Sequence, residues 1–256
     1  MGGPNRLISV LQLFDNGRSV WTVDEIAEAL TTSPSTAYRS VRALVQGGFL
    51  DPVTGAGYAL GPAFIRYDRV LRQNDPLIKA ADLIMSDLLS QTDQGATVIL
   101  CRRFRDCVMC VHEVQGAKPH APTSYQRGVA MPMFIGATSK IILAHLPDRV
   151  LKSTYLSNEQ VIRRVLKVQN WQQFREQLKA IRRAGIALTD SEVAKGRIGV
   201  AAPIVRESQV IASISLVIAA KALGHRKAET MVSSVLAAAS RISRNLSREK
   251  PLVTRG

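Results

Sequence analysis

The sequence predicts an α+β protein in three parts: a winged helix-turn-helix over residues 1–61, linker helices over 62–95 and an α/β domain over 96–256. Three observations predict it. Between Val23 and Gly61 two short amphipathic helices and a tight connection lead into a β-hairpin. Pro62 to Leu88 then carries two consecutive apolar-striped helical segments. From Ala96 onward the texture turns to β-rich apolar runs interleaved with helical ones, as layered helix-and-sheet domains require.

The elements follow in order. Leu7, Val10, Leu11 and Phe14 form a helical stripe that ends at Asn16-Gly17 and supplies the third helix a small domain needs. Val23, Ile26, Ala27 and Leu30 recur at i, i+3, i+4 and i+7, so the next helix turns one stripe to a core. Ser33 before Pro34 predicts a new helix start, with the Ser33 hydroxyl capping free backbone N–H groups and proline at the first helical position. That helix runs to about Gln46 and stops at Gly47-Gly48. Asp51 to Leu60 is the hairpin, with Pro52, Gly55 and Gly57 as its turn residues.

At about 100° per residue, Ala37, Val41 and Leu44 share one side of the second helix and must pack inward. Ser35, Arg39, Arg42 and Gln46 share the opposite side, flanked by Thr36 and Ala43. Hydroxyls at the N-terminal end and arginines along the solvent side suit a helix laid in a DNA major groove. Small hydroxyls approach phosphates and base edges, and arginine forks onto guanine. The competing reading is a solvated face in an interaction domain, since fold alone does not prove function.

Bulk properties bound the rest. The chain has 256 residues, 21% charged and 46% apolar, which excludes a disordered protein. No signal peptide is apparent, and the longest apolar stretch, near Val210 to Ala220, is too short to cross a bilayer. With three cysteines no disulfide framework is expected, which agrees with a cytoplasmic setting. The net charge of +14 is unevenly placed. Up to Arg66 five arginines (Arg6, Arg18, Arg39, Arg42, Arg66) balance five acids (Asp15, Asp24, Glu25, Glu28, Asp51), so the whole excess lies beyond. Overall basicity is therefore no footprint of DNA.

In the second half, Ala96–Arg103 and Cys107–Val114 predict a hairpin about Phe104-Arg105-Asp106. Gly136–Leu146, Trp171–Ala184 and His225 to about Arg248 predict helices; Ile186–Thr189, Gly199–Val205 and Val210–Ile218 predict strands. Cys107-x-x-Cys110 is a weak metal signal because no second pair accompanies it. Along a strand Cys110 and His112 share one face while Cys107 faces away, and Cys101 and the other histidines (His120, His145, His225) lie on separate elements. No metal, cofactor or catalytic set is expected. Around Phe134-Ile135-Gly136-Ala137-Thr138-Ser139-Lys140, a helix start offers N–H groups, hydroxyls and a lysine to a carboxylate. Equally, Thr138 and Ser139 cap the helix and Lys140 is solvated. Met131, Met133 and Phe134 line a pocket or, the favoured reading, fill core.

The run Ser35-Thr36-Ala37-Tyr38-Arg39, with Ala43-Leu44, Gly47-Gly48-Phe49-Leu50 and Tyr58-Ala59-Leu60-Gly61, resembles the DNA-binding domain of the IclR family of bacterial transcription regulators. The resemblance extends through Gly128, Pro132, Ala137, Lys140, Leu143-Ala144 and Leu146-Pro147 to Arg183–Ala187, Glu192, Gly196 and Ala201-Ala202-Pro203. It implies DNA contacts from Ser33, Ser35, Thr36, Tyr38, Arg39, Arg42, Gln46 and Tyr58. It also implies a GAF-like second half that binds a small organic, often aromatic, acid, and homodimers paired into tetramers. The effector set is Phe134, Gly136, Ala137, Thr138, Lys140, Thr189, Gly199, Ser213 and Ser215.

The chain departs from the family pattern at several of these positions. Phe134 and Gly136 replace a histidine and a threonine, Ser139 a glycine, Thr189 an acid, Gly199 a cysteine and Val217 a serine. A more apolar pocket follows, suited to an aromatic or branched monocarboxylate. Ala56 stands where the wing of many relatives is basic, so phosphate anchoring there is weak. The expectation is a transcription regulator tuned by an organic acid. The competitors are a small-acid enzyme with an appended regulatory domain and a constitutive DNA-binding protein, supported only by a basic C-terminal tail (Arg241, Arg244, Arg248, Lys250, Arg255).

Overall fold

The computed structural model describes residues 3–92, 95–117, 124–222 and 225–248, so His120 and the tail beyond Arg248 lie outside the described residues. The chain divides into two compact units, Met1–Asn74 and Asp75–Gly256.

In the first unit the order is α1 (Gly3–Gln12), α2 (Val23–Ala29), α3 (Pro34–Gln46), β1 (Leu50–Val53), β2 (Gly57–Leu60) and α4 (Ala63–Asn74). Val10, Phe14, Ile26, Ala27, Ala37, Val41, Leu44 and Leu50 make its core, which is the set of periodic positions closed by the first residue of the hairpin. The start of α2 is locked by a capping box: Thr22 Oγ1 accepts Glu25 N–H at 3.3 Å and Glu25 Oε2 accepts Thr22 N–H at 2.9 Å. Arg18 pairs with Glu25, and that guanidinium hydrogen bond first, then the bonds from Thr22, hold the Glu25 carboxyl down at about 2. Ser33 does stand at the N-cap of α3, but its side chain caps no backbone group. Its hydroxyl instead donates to Thr36 Oγ1 at 2.8 Å.

β1 and β2 pair antiparallel from Leu50↔Leu60 to Val53↔Gly57, and Trp21 adds a bridge to Tyr58. Gly57 makes that approach feasible: with φ of 117°, a Cβ there would meet Trp21 O at 2.5 Å.

In the second unit α5 (Pro76–Ser90) precedes β3 (Thr97–Phe104), β4 (Cys107–Gln115), β5 (Ala130–Pro132) and α6 (Ala137–Leu143). Then follow α7 (Asp148–Ser157), α8 (Glu159–Leu166), α9 (Trp171–Ala184), β6 (Ala187–Asp190), β7 (Arg197–Arg206), β8 (Gln209–Ala219) and α10 (His225–Arg248). The sheet is antiparallel in the order β5-β4-β3-β8-β7-β6. One face (Val98, Leu100, Val200, Ile214, Leu216) buries against α5 and α10. The other (Ile99, Cys101, Val108, Ala201) buries against α6, with Phe174 and Leu178 of α9 behind it. The two segments expected together as a linker fall in different units: α4 belongs to the first, and α5 packs on β3 and α10 in the second.

The helix expected over 136–146 is shorter, ending at Leu143, and α7, α8 and β5 have no counterpart in the sequence reading. A bulge corrects the placement of Cys110 and His112. The register passes from Leu100↔His112 to Cys101↔Cys110, which leaves Val111 unpaired and reverses the alternation. Cys110 therefore joins the α6 face, while His112 Nε2 meets Asp82 Oδ1 of α5 at 2.7 Å on the other. Among the described residues no group of three or more His, Cys, Asp or Glu is placed to hold a metal, and no helix is long and apolar enough to cross a membrane.

Candidate functional site

Two places gather the residues singled out above. On α3, Ala37, Ser40, Val41 and Leu44 are buried, while Ser35, Tyr38, Arg39, Arg42 and Gln46 stand exposed and Thr36 half-buried. The exposed face is organised at its N-terminal end. Thr36 Oγ1 receives the Ser33 hydroxyl and, at 3.5 Å, the Arg39 guanidinium, and Ser33 and Ser35 hydroxyls lie 3.2 Å apart. Arg42 and Gln46 continue the row toward the C-terminus. Tyr58 is differently held: half-buried against the core, its backbone exchanges hydrogen bonds with Trp21 at 2.9 and 3.0 Å.

In the second unit all seven residues of α6 are buried, including Thr138, Ser139 and Lys140. A helix so enclosed must satisfy its polar groups internally. Ala137 N–H donates to Thr189 Oγ1 at 3.3 Å, Thr138 Oγ1 meets Ser215 Oγ at 2.6 Å, and Ser213 Oγ donates to Thr138 O at 3.1 Å. Tyr125 Oη donates to Ile135 O at 2.7 Å and lies 2.8 Å from Ser139 Oγ, and burial pushes its phenol well above the ordinary tyrosine range. Glu192 accepts Gly136 N–H at 3.1 Å and pairs with Lys140 Nζ. Gly136 permits the entry, with φ of 79° and ψ of 153°, a conformation essentially confined to glycine.

A cavity of about 40 Å³ opens at this helix start, lined by Gly136, Ala137, Thr138, Thr189 and Gly199 of the expected set. Tyr125, Glu192, Val193, Arg197 and Val217 complete most of its wall. Lys140, Ser213 and Ser215 stand behind that wall through their bonds to Glu192 and Thr138. Phe134 is not in it; its ring is buried beside a separate recess with Met131 and Met133. Tyr125 and Glu192 were the omissions of the sequence reading. Glu192 had a signal, its match to the late family pattern, but nothing local linked it to Lys140, 52 residues away.

Cys101 and Cys110 face each other across β3 and β4 beneath α6, and burial, first among several causes, pushes the Cys101 thiol up. Burial and the neighbouring Asp106 do the same to Cys107, so neither has the thiolate character of a nucleophile.

Residues 4–53 match the IclR helix-turn-helix domain, and residues 70–244 match the profile of the bacterial transcriptional regulator IclR C-terminal domain. The chain belongs to the IclR family. IclR regulators are transcription factors, and this member is a DNA-binding transcription regulator whose helix-turn-helix takes DNA as its partner. Similar proteins include the HTH-type transcriptional regulator KipR of Bacillus subtilis (strain 168), 24% identical over 211 residues and 82% of each chain. The Thermotoga maritima IclR crystal structure shares the fold at a TM-score of 0.65, with 22% identity over 95% of this chain and 98% of that one. An IclR homologue from Microbacterium hydrocarbonoxydans, crystallised in complex with 4-hydroxybenzoate, superposes at a TM-score of 0.74 with 21% identity over 95% and 98% of the two chains.

Proposed function

We propose that this regulator grips its operator as a homodimer through Ser35, Thr36, Arg39, Arg42 and Gln46, and that a small organic acid at the start of α6 sets its DNA affinity. The observation that carries the second part is Glu192. Its carboxylate rests on Gly136 N–H and Lys140 Nζ at the mouth of the cavity, so this environment already stabilises a carboxylate. An effector acid takes the place of Glu192. At about 40 Å³ the cavity is too small for an aromatic ring; a benzene-sized guest needs on the order of 150 Å³. Binding therefore requires the 191–196 segment to withdraw with Glu192 and Val193. The acid acts by favouring that withdrawn arrangement, and it shifts operator affinity only to the extent that the two arrangements bind DNA differently.

Val193, Ala194 and Val217 in the wall support an apolar body for the ligand, in place of the expected Phe134. The aromatic acid held by the Microbacterium homologue supports the same class. Dimerisation is supported by α4, which leaves Ile65, Val70 and Leu71 in solvent.

A thermal-shift screen of aromatic and branched monocarboxylates against the full-length protein, starting with 4-hydroxybenzoate, tests this reading. An active acid raises Tm, its methyl ester raises it far less, and Glu192→Gln, freed of the internal competitor, gains more from the acid than the parent does. An ester as stabilising as the acid, or a Glu192→Gln protein that no longer responds, overturns the site.

A further inference from the structure

The second unit carries another recess, of about 830 Å³, that shares no lining residue with the α6 cavity. Its volume is in the range of sites for drug-sized molecules. The β3–β4 turn and β5 form one side, and Met133 and Phe134, both buried, lie beneath. The opposing side is one face of α7. Arg149, Val150, Ser153, Thr154 and Ser157 recur at i, i+1, i+4, i+5 and i+8, so a single helical stripe meets the recess and only Val150 in it is apolar. Small hydroxyl side chains there keep the space open and offer hydrogen bonds.

Charge selects the occupant. Two guanidiniums, Arg103 of β3 and Arg149 of α7, line the recess against one carboxylate, Asp106. Arg103 spends its Nε on Arg105 O at 2.7 Å and keeps its terminal N–H groups, while the carboxylate next to Arg149, Asp148, is taken by Arg175. Arg149 itself has no hydrogen-bond or ion-pair partner among the described residues. The apolar part is methionine-rich, with Met131 and Met133 beside Phe134, and thioether chains adapt to flat ring systems.

We propose that this recess is a second ligand site, which binds an amphipathic organic anion too large for the α6 cavity. The head group lies on Arg103 and Arg149, and a polycyclic or long apolar body lies over Met131, Met133 and Phe134. Nothing in this assignment depends on what the α6 cavity receives.

The test is fluorescence titration of the intact protein with 8-anilinonaphthalene-1-sulfonate, an aromatic anion, at fixed salt. Arg149→Glu should weaken binding about tenfold, as loss of a charge-assisted contact with added repulsion implies. Ser153→Trp, on an exposed face of α7, should abolish binding by filling the recess while circular dichroism stays unchanged. Val193→Trp, which fills the α6 cavity instead, should leave the isotherm in place. The assignment is overturned if Arg149→Glu and Ser153→Trp bind the probe like the parent. It also fails if Val193→Trp removes binding, or if uncharged N-phenyl-1-naphthylamine binds as tightly as the sulfonate.

Discussion

α3 and α6 divide their polar residues in opposite ways. α3 buries one stripe and leaves Ser35, Tyr38, Arg39, Arg42 and Gln46 to solvent and to one another. α6 buries every side chain it has, and each hydroxyl, the lysine and the N–H groups of Gly136 and Ala137 are answered by β6, β8, Tyr125 or Glu192. A partner meeting α3 displaces water and little else. Under the proposed function, a ligand reaching α6 has to break protein–protein bonds before it makes its own, which ties its arrival to movement of the 191–196 segment. The exposed helix therefore suits recognition, and under the proposed function the buried one couples occupancy to a structural change.

The comparison breaks first at Lys140. Removing one partner of an enclosed ion pair strands the other, so Lys140→Ala should cost about 3 kcal/mol. The paired change Lys140→Met with Glu192→Met should recover most of it, because no charge is then left behind. Urea denaturation with a shared m-value measures both, and a loss below about 1 kcal/mol would mean the pair is effectively solvated.

Gly136→Ala comes next. An added Cβ would stand 2.7 Å from Tyr125 Oη and 2.8 Å from Val193 Cγ2, at a φ of 79°. A cost of about 2–3 kcal/mol follows from backbone strain alone, and a near-neutral variant would show that the helix entry relaxes freely.

On the exposed helix the effect should appear in binding and leave folding alone. Arg39→Ala is expected to lose about 1–3 kcal/mol of operator affinity with an unchanged denaturation midpoint. Equal gel-shift affinity at one salt concentration would remove Arg39 from the contact set; a shifted midpoint would make its role structural.

The smallest effect is a pH dependence beside α2. Glu25 titrates at about 2 in the folded chain against an ordinary 4.5, chiefly through Arg18 and then Thr22. Because its folded value is depressed, its contribution is complete above about 4.5 and is lost as pH falls toward 2. Carboxyl NMR should find this titration, and Arg18→Gln should move it upward; a midpoint near 4 in the parent would show the Arg18 contact to be transient.

Much of this is legible in the sequence. Periodicity alone assigned Ala37, Val41 and Leu44 to the core and Arg39 and Arg42 to solvent, because a helix repeats its faces within a few residues. Apolar runs on either side of Phe104-Arg105-Asp106 marked β3 and β4, and Gly185 marked the end of α9. Sparse signals failed. α7 and α8 bury only Leu151, Tyr155, Ile162 and Leu166 among many charges, and β5 is three residues long.

What the sequence determined by itself is the strongly periodic local elements and, through α3, which polar face is left to solvent, since both follow from interactions spanning a turn or two. Tertiary structure alone decided that Val111 bulges and turns His112 away from Cys110, that Phe134 lies beside a recess apart from the α6 cavity, and that Glu192 meets Gly136 and Lys140. The Glu192 contacts join segments more than 50 residues apart, where chain connectivity imposes no spacing and only the packing of the second unit brings the partners together.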